Sequence, residues 1–202
     1  AQAAASDAAD IDAFLAETWA KDTSKNVSEA LAAQIAIIGE NMKIRRFEKV
    51  VAADGFVESY IHGGGKIGIL VEFKSNVYTA AVRECAKNVA MQIAAMSPKY
   101  VRQSEISEEY IAKEKEILKE QAMNDPANAN KPEAIIDKML VGRLNKQMKE
   151  ICLVDQAYVK DGDMTVAQYI ASVAKAEGCE LDIVKFVRFA TGEGLEKKNE
   201  NF

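Results

Sequence analysis

Three consecutive glycines, Gly63-Gly64-Gly65, stand between two β-prone runs. Phe56 to His62 leads in. After the glycines, Ile67, Ile69, Val71 and Phe73 alternate with Gly68, Leu70, Glu72 and Lys74, which is the period of a strand. Strands joined by so short a link pair antiparallel, because a parallel pair needs a long crossover. A hairpin over 56–73 therefore anchors the fold. The same glycines also spell Gly63-x-Gly65-x-x-Gly68. That motif binds a pyrophosphate only where the glycines lead into a helix N-terminus, whose N–H groups and dipole meet the phosphates. Here a strand follows, and no Ser or Thr follows Lys66, so a phosphate loop does not fit. His62, at the shoulder of the turn, is the one histidine in the chain. The plain reading of a lone histidine is a surface or partly satisfied side chain.

Around this hairpin the apolar periodicity is helical. Asp10 precedes Ile11, Phe14 and Leu15, a short amphipathic turn ending near Trp19. Val27, Leu31, Ile35 and Ile38 form one face of a helix that stops near Gly39. Lys43 to Val51 is β-prone and predicts a strand, and Ala53-Asp54-Gly55 a turn. Val77, Ala81, Cys85, Val89, Ile93 and Met96 mark a long helix over 77–96, stopped before Pro98. Near the end, Asp161-Gly162-Asp163 predicts a turn. Val166, Tyr169, Ile170, Val173 and Ala174 predict a helix ending at Gly178, and 183–190 a strand. The result is an α+β chain.

The character changes at Ser104. Residues 104–122 are dense in charge, with a thin apolar stripe at Ile111, Leu118 and Ala122; Ser107 suits an N-cap. After a loop over 124–133, a second helix begins near Pro132 and carries Ile136, Met139, Leu140, Leu144 and Met148. Two narrow-striped helices with a short connector predict an antiparallel helical hairpin, each arm roughly 25 Å long. Such a finger projects, because its stripe is too thin for a globular core. It is either a solvated structural arm or a contact with a partner or a second copy.

Charge and composition remove several function classes. The 202 residues carry a net charge of −5 and no concentrated basic face, which argues against nucleic acid. Cys85, Cys152 and Cys179 lack metal-ligand spacing, and an odd, scattered set suits a reducing cytosol. No apolar run approaches the ~20 residues needed to span a bilayer. No acid–base constellation assembles: Asp161 and Asp163, one glycine apart, read as a turn rather than a dyad. No cofactor, metal or catalytic residue is expected.

A short duplication organises the chain. Lys43-Ile-Arg-Arg-Phe47 and Lys185-Phe-Val-Arg-Phe189 share K-x-x-R-F, and each follows an apolar helix ending in glycine, Gly39 and Gly178. This implies two related antiparallel-sheet subdomains. The first, over 1–54, is incomplete, with its own hairpin and first helix expected before residue 1. The second spans 55–103 and 151–202, with 104–150 inserted as a helical hairpin.

In this order the residues resemble bacterial elongation factor Ts. The resemblance is carried by Ile38-Gly-Glu-Asn41 with Ile44-Arg-Arg46, Tyr60-x-His62-Gly63 with Lys66-Ile-Gly68, and Val89-Ala-Met-Gln-Ile-Ala94 before Pro98. It continues through Lys138-Met139, Gly142-Arg143, Gln156-x-Tyr158-Val159, Arg188-Phe189 and Gly192-Glu-Gly194. It implies a cytoplasmic guanine nucleotide exchange factor for elongation factor Tu, met in its GDP-bound and nucleotide-free states, with no chemistry of its own. It further implies a dimerisation role for the inserted hairpin. Three parts of the family lie outside this chain by the same comparison: an N-terminal three-helix domain, a Thr-Asp-Phe-Val loop that wedges near the partner's magnesium site, and a C-terminal helix. A truncated form with reduced exchange is therefore expected, the alternative being a structural or dimerising module. The partner contacts implied are Ile38, Gly39, His62, Gly63 and Val159. Where the family often has Pro, Ala157 stands here. For Ile38 and Val159 the competing reading is core packing.

Overall fold

The computed structural model describes residues 1–128 and 131–195. The chain divides into two compact units, Ala1–Val50 and Val51–Phe202. The first holds α1 (Gln2–Ala5), α2 (Ile11–Ala16) and α3 (Val27–Ile38). Phe14 and Val27 are buried, and the Phe14 and Phe47 rings meet at 4.9 Å. The Asn26 side chain accepts the Glu29 N–H while Glu29 reaches back to the Asn26 N–H, a capping box that fixes the start of α3.

The second unit is built on the hairpin of β1 (Gly55–His62) and β2 (Ile67–Ser75), antiparallel with Gly55 opposite Lys74 and His62 opposite Ile67. The link between the strands holds Gly63, Gly64 and Gly65 at φ of 61°, 66° and 99°. Three successive left-handed residues are open only to glycine without strain, so the triple glycine serves the turn. Next come α4 (Ala80–Met96), α5 (Glu108–Asn124), α6 (Glu133–Ile151), β3 (Ala157–Tyr158), β4 (Asp161–Thr165), α7 (Val166–Glu177) and β5 (Leu181–Ala190). The three-stranded sheet runs β1-β2-β5, all antiparallel, and β3-β4 is a separate pair. The core gathers Ile69, Val71 and Phe73 from β2, Cys85, Val89 and Ile93 from α4, Ile170 from α7 and Ile183 from β5. The α+β architecture is as the sequence patterns indicate.

The helical finger follows its predicted stripe. Ala122, Leu140 and Met148 are buried, and Ile111, Leu118, Ile136, Met139 and Leu144 are partly buried. Ser107 caps α5, its side chain accepting the Tyr110 N–H at 3.2 Å. At the root, the two chain segments lie side by side: Lys99 N–H donates to Ile151 O at 2.9 Å, and Leu153 N–H to Tyr100 O at 2.9 Å. Residues 129–130 of the finger connector and the tail from 196 onward lie outside the described residues.

Three local expectations need correction. Residues 41–52 contain no strand, although Lys43–Val51 is β-prone. A strand exists only with a ladder partner: the second K-x-x-R-F copy lies in β5 paired with β2, whereas the first has no described strand beside it. The turn expected at Asp161-Gly-Asp163 sits two residues earlier. Tyr158 pairs with Asp161, leaving Val159 and Lys160 as the turn, while Asp161–Asp163 opens β4. Finally, α4 starts at Ala80 rather than 77, because Thr79 caps it by accepting the Val82 N–H.

Candidate surface for a protein partner

Each implied contact residue lies at a turn, a strand end or a helix end. Ile38 is the last residue of α3 and is 53 % exposed; its neighbour Ile37 is 75 % exposed. The apolar face that buries Val27 thus does not reach the end of the helix. Gly39 follows at φ 78° and donates its N–H to Ile35 O at 2.8 Å, ending the helix in a left-handed turn. An apolar helix end capped this way presents two isoleucines to solvent.

In the second unit, His62 ends β1 on the same face as Tyr60 and is exposed because it lies at the strand end. Its Nδ1 lies 3.0 Å from the Tyr60 hydroxyl, and the two rings are 5.9 Å apart. Tyr60 packs against the core, so the sheet sets the orientation of the imidazole through that hydroxyl. Gly63 opens the glycine turn immediately after it. Val159 stands on the other hairpin, in the β3–β4 turn, 47 % exposed, with its N–H donated to the Gln92 Oε1 at 2.8 Å. Neither Ile38 nor Val159 is buried among the described residues. The five residues fall into three groups: Ile38 with Gly39 in the first unit, His62 with Gly63 on one turn of the second, and Val159 on another.

The family model for elongation factor Ts matches residues 1–193. The chain belongs to the elongation factor Ts family. It is 49 % identical over 200 residues to elongation factor Ts of Clostridioides difficile (strain 630), which covers 99 % of this chain and 64 % of that protein. It is 48 % identical over 181 residues to elongation factor Ts of Clostridium perfringens (strain 13 / Type A), covering 90 % and 58 %. With elongation factor Ts of Clostridium novyi (strain NT) the figures are 44 % over 201 residues, covering 100 % and 64 %. The chain thus spans about three-fifths of the length of the elongation factor Ts proteins it matches.

Family membership frames what the remaining polar and titratable groups can do. Burial pushes the Cys85 thiol up to about 12 and the Cys152 thiol up to about 11, so both stay protonated and unreactive at neutral pH. Burial also raises the Tyr158 hydroxyl, with Tyr169 adding to the effect. Among the described residues no group of three or more His, Cys, Asp or Glu could hold a metal ion, and no helix is long and apolar enough to cross a membrane. Ile38, His62 and Val159 are exposed at a helix end, a strand end and a turn. Sequence reading did not single out Ile37, exposed beside Ile38, or the α4 amides Asn88 and Gln92, which accept the Lys160 ammonium and the Val159 N–H. The amides had a visible signal, since both are polar positions within the apolar periodicity of a long helix.

Proposed function

We propose that the chain acts as a guanine nucleotide exchange factor, promoting GDP release from elongation factor Tu in the cytoplasm. Family membership over residues 1–193 carries the proposal. The exposure of Ile38, His62 and Val159 supports their role, with Gly39 and Gly63, as contacts to that partner. No catalytic residue is needed. A protein that binds the nucleotide-free partner more tightly than the GDP form weakens GDP by the same factor, because coupling is reciprocal. The Thr-Asp-Phe-Val sequence occurs nowhere in the 202 residues. Contacts that favour both nucleotide states equally shift nothing, so these residues alone should accelerate release less than a full-length relative. Stopped-flow release of a fluorescent GDP analogue, with the chain in excess, tests this. No acceleration would remove the exchange role, and acceleration equal to a full-length relative would remove the reduced-activity reading.

A second reading, a module that dimerises through 104–150, is favoured by one observation: Ile117, Met123, Ile135 and Val141 on α5 and α6 are exposed, Met123 by 71 %. In this division 1–54 is the first subdomain, and 55–103 with 151–202 the second. Sedimentation across a concentration series tests it, and a monomer at every concentration would exclude it.

A further inference from the structure

We propose that Gln92 and Asn88 are positioning residues that hold the Val159–Lys160 turn in the conformation that meets the partner. This rests on the assignment of Val159 as a contact. Gln92 is fully buried on α4, among core residues Val89 and Ile93. A buried amide is tolerated only when its polar atoms are bonded. All of its bonds go to one small hairpin and its base. Its Oε1 accepts the Val159 N–H at 2.8 Å, and its Nε2 donates to Ala157 O at 3.1 Å and to Gln156 Oε1 at 3.2 Å. Gln156, also buried, donates its own Nε2 to Glu150 O at 2.7 Å. One helical turn earlier, the Asn88 Oδ1 accepts the Lys160 ammonium at 2.6 Å, and its Nδ2 donates to the Tyr169 hydroxyl at 2.8 Å. Each of the two turn residues is thus held by one α4 amide.

The hairpin cannot fix this turn by itself. Its ladder has two register pairs with an irregularity between them, and an isolated two-stranded pair is marginal in water. Apolar side chains of similar size could fill the space of both amides at little cost to packing. They could not, however, anchor the backbone at 159 while its side chain stays exposed. Holding a contact loop in its bound shape strengthens binding by removing the ordering cost at association.

The test measures nucleotide release from elongation factor Tu against concentration of the full chain, together with amide hydrogen exchange of the free chain. Gln92→Met keeps the length and removes the bonds. A lost buried hydrogen bond corresponds to about a tenfold change in an equilibrium. The concentration for half-maximal release should therefore rise about tenfold with the maximal rate unchanged. Exchange at the Val159 amide should accelerate by about the same factor while Val89 and Ile93 stay protected. Gln92→Glu keeps an acceptor for the Val159 N–H but sets its second oxygen against two acceptors, Ala157 O and Gln156 Oε1, so it should not recover the loss. If Gln92→Met does not fold, Asn88→Ala decides by the same two readouts. Val159→Asp separates the layers. If it leaves the half-maximal concentration unchanged, Val159 is not a contact and both ideas fall. If it raises that concentration while Gln92→Met does not, the contact stands and the positioning role is overturned. Unaltered Val159 exchange in Gln92→Met overturns it as well.

Discussion

The chain contains two helix–glycine units that share a design and diverge at the end. Both α3 and α7 have twelve residues, and both begin with a capping box, Asn26 with Glu29 and Thr165 with Gln168. Both end on a left-handed glycine, Gly39 at φ 78° and Gly178 at φ 61°. At the first, one bond from the glycine N–H to Ile35 O closes the helix. At the second, Gly178 N–H reaches Lys175 O and Cys179 N–H reaches Ala174 O, the two-bond Schellman form. After it the chain enters β5 against β2, whereas after Gly39 it runs through 41–52 without regular structure. Caps and helix stops are thus written in a few adjacent residues. A strand is a property of two segments, and one segment cannot supply it.

Substitutions can break or sharpen that contrast. The largest effect is expected at Ile183, fully buried in β5: Ile183→Ala should lower stability by about 2–5 kcal/mol in a denaturant melt. A loss under about 1 kcal/mol would mean that β5 is held by its ladder rather than by the core. Next, Gly39→Ala and Gly178→Ala should each cost about 1–2 kcal/mol. A Cβ at either position meets no neighbour, so the cost is left-handed backbone alone and should be nearly equal at the two sites. Clearly unequal values would show that the segment after the glycine, strand or irregular chain, matters more than the glycine. Asn26→Ala and Thr165→Ala should each cost about 1 kcal/mol by loss of the cap, read as a drop in melting temperature. Smallest is Val51→Ala, in the segment without a strand and 73 % exposed, expected within about 0.5 kcal/mol of the parent. A larger loss would reveal a packing role for the first copy.

The same division explains how much the sequence revealed. Periodic side chains read correctly: Ile111, Leu118, Ala122, Leu140 and Met148 all turn inward on the finger, and the glycine hairpin lies where its alternation placed it. The strand at 43–51 was misread because β-propensity reports a side chain's fit to a pleat and not the presence of a neighbour. The turn at 159–160 was missed because Val-Lys has no turn signature, while Asp161-Gly-Asp163 does. In the structure that signature is spent inside β4, where Asp161 Oδ1 accepts the Asp163 N–H at 3.2 Å. Of the proposed contact surface, the sequence could name residues through family resemblance. It could not show that Ile38 and Val159 are exposed, since an apolar residue at helical spacing looks the same at a core position and at a surface one.

The paired segments at the root of the finger bear on how the second unit folds. Residues 99–101 and 151–154 hydrogen-bond side by side, so the chain leaves and re-enters at nearly one point. A helical hairpin is rich in local contacts and can form early. Once it has, a connection of roughly fifty residues behaves like one of about six, and each halving of loop length relieves about 0.6 kcal/mol of closure entropy. The search that brings α4 against Leu153 and α7 is then that of a much shorter chain. In kinetic terms the finger is a folded bracket rather than an interruption, and lengthening or trimming its tip should leave the refolding rate of the sheet almost unchanged.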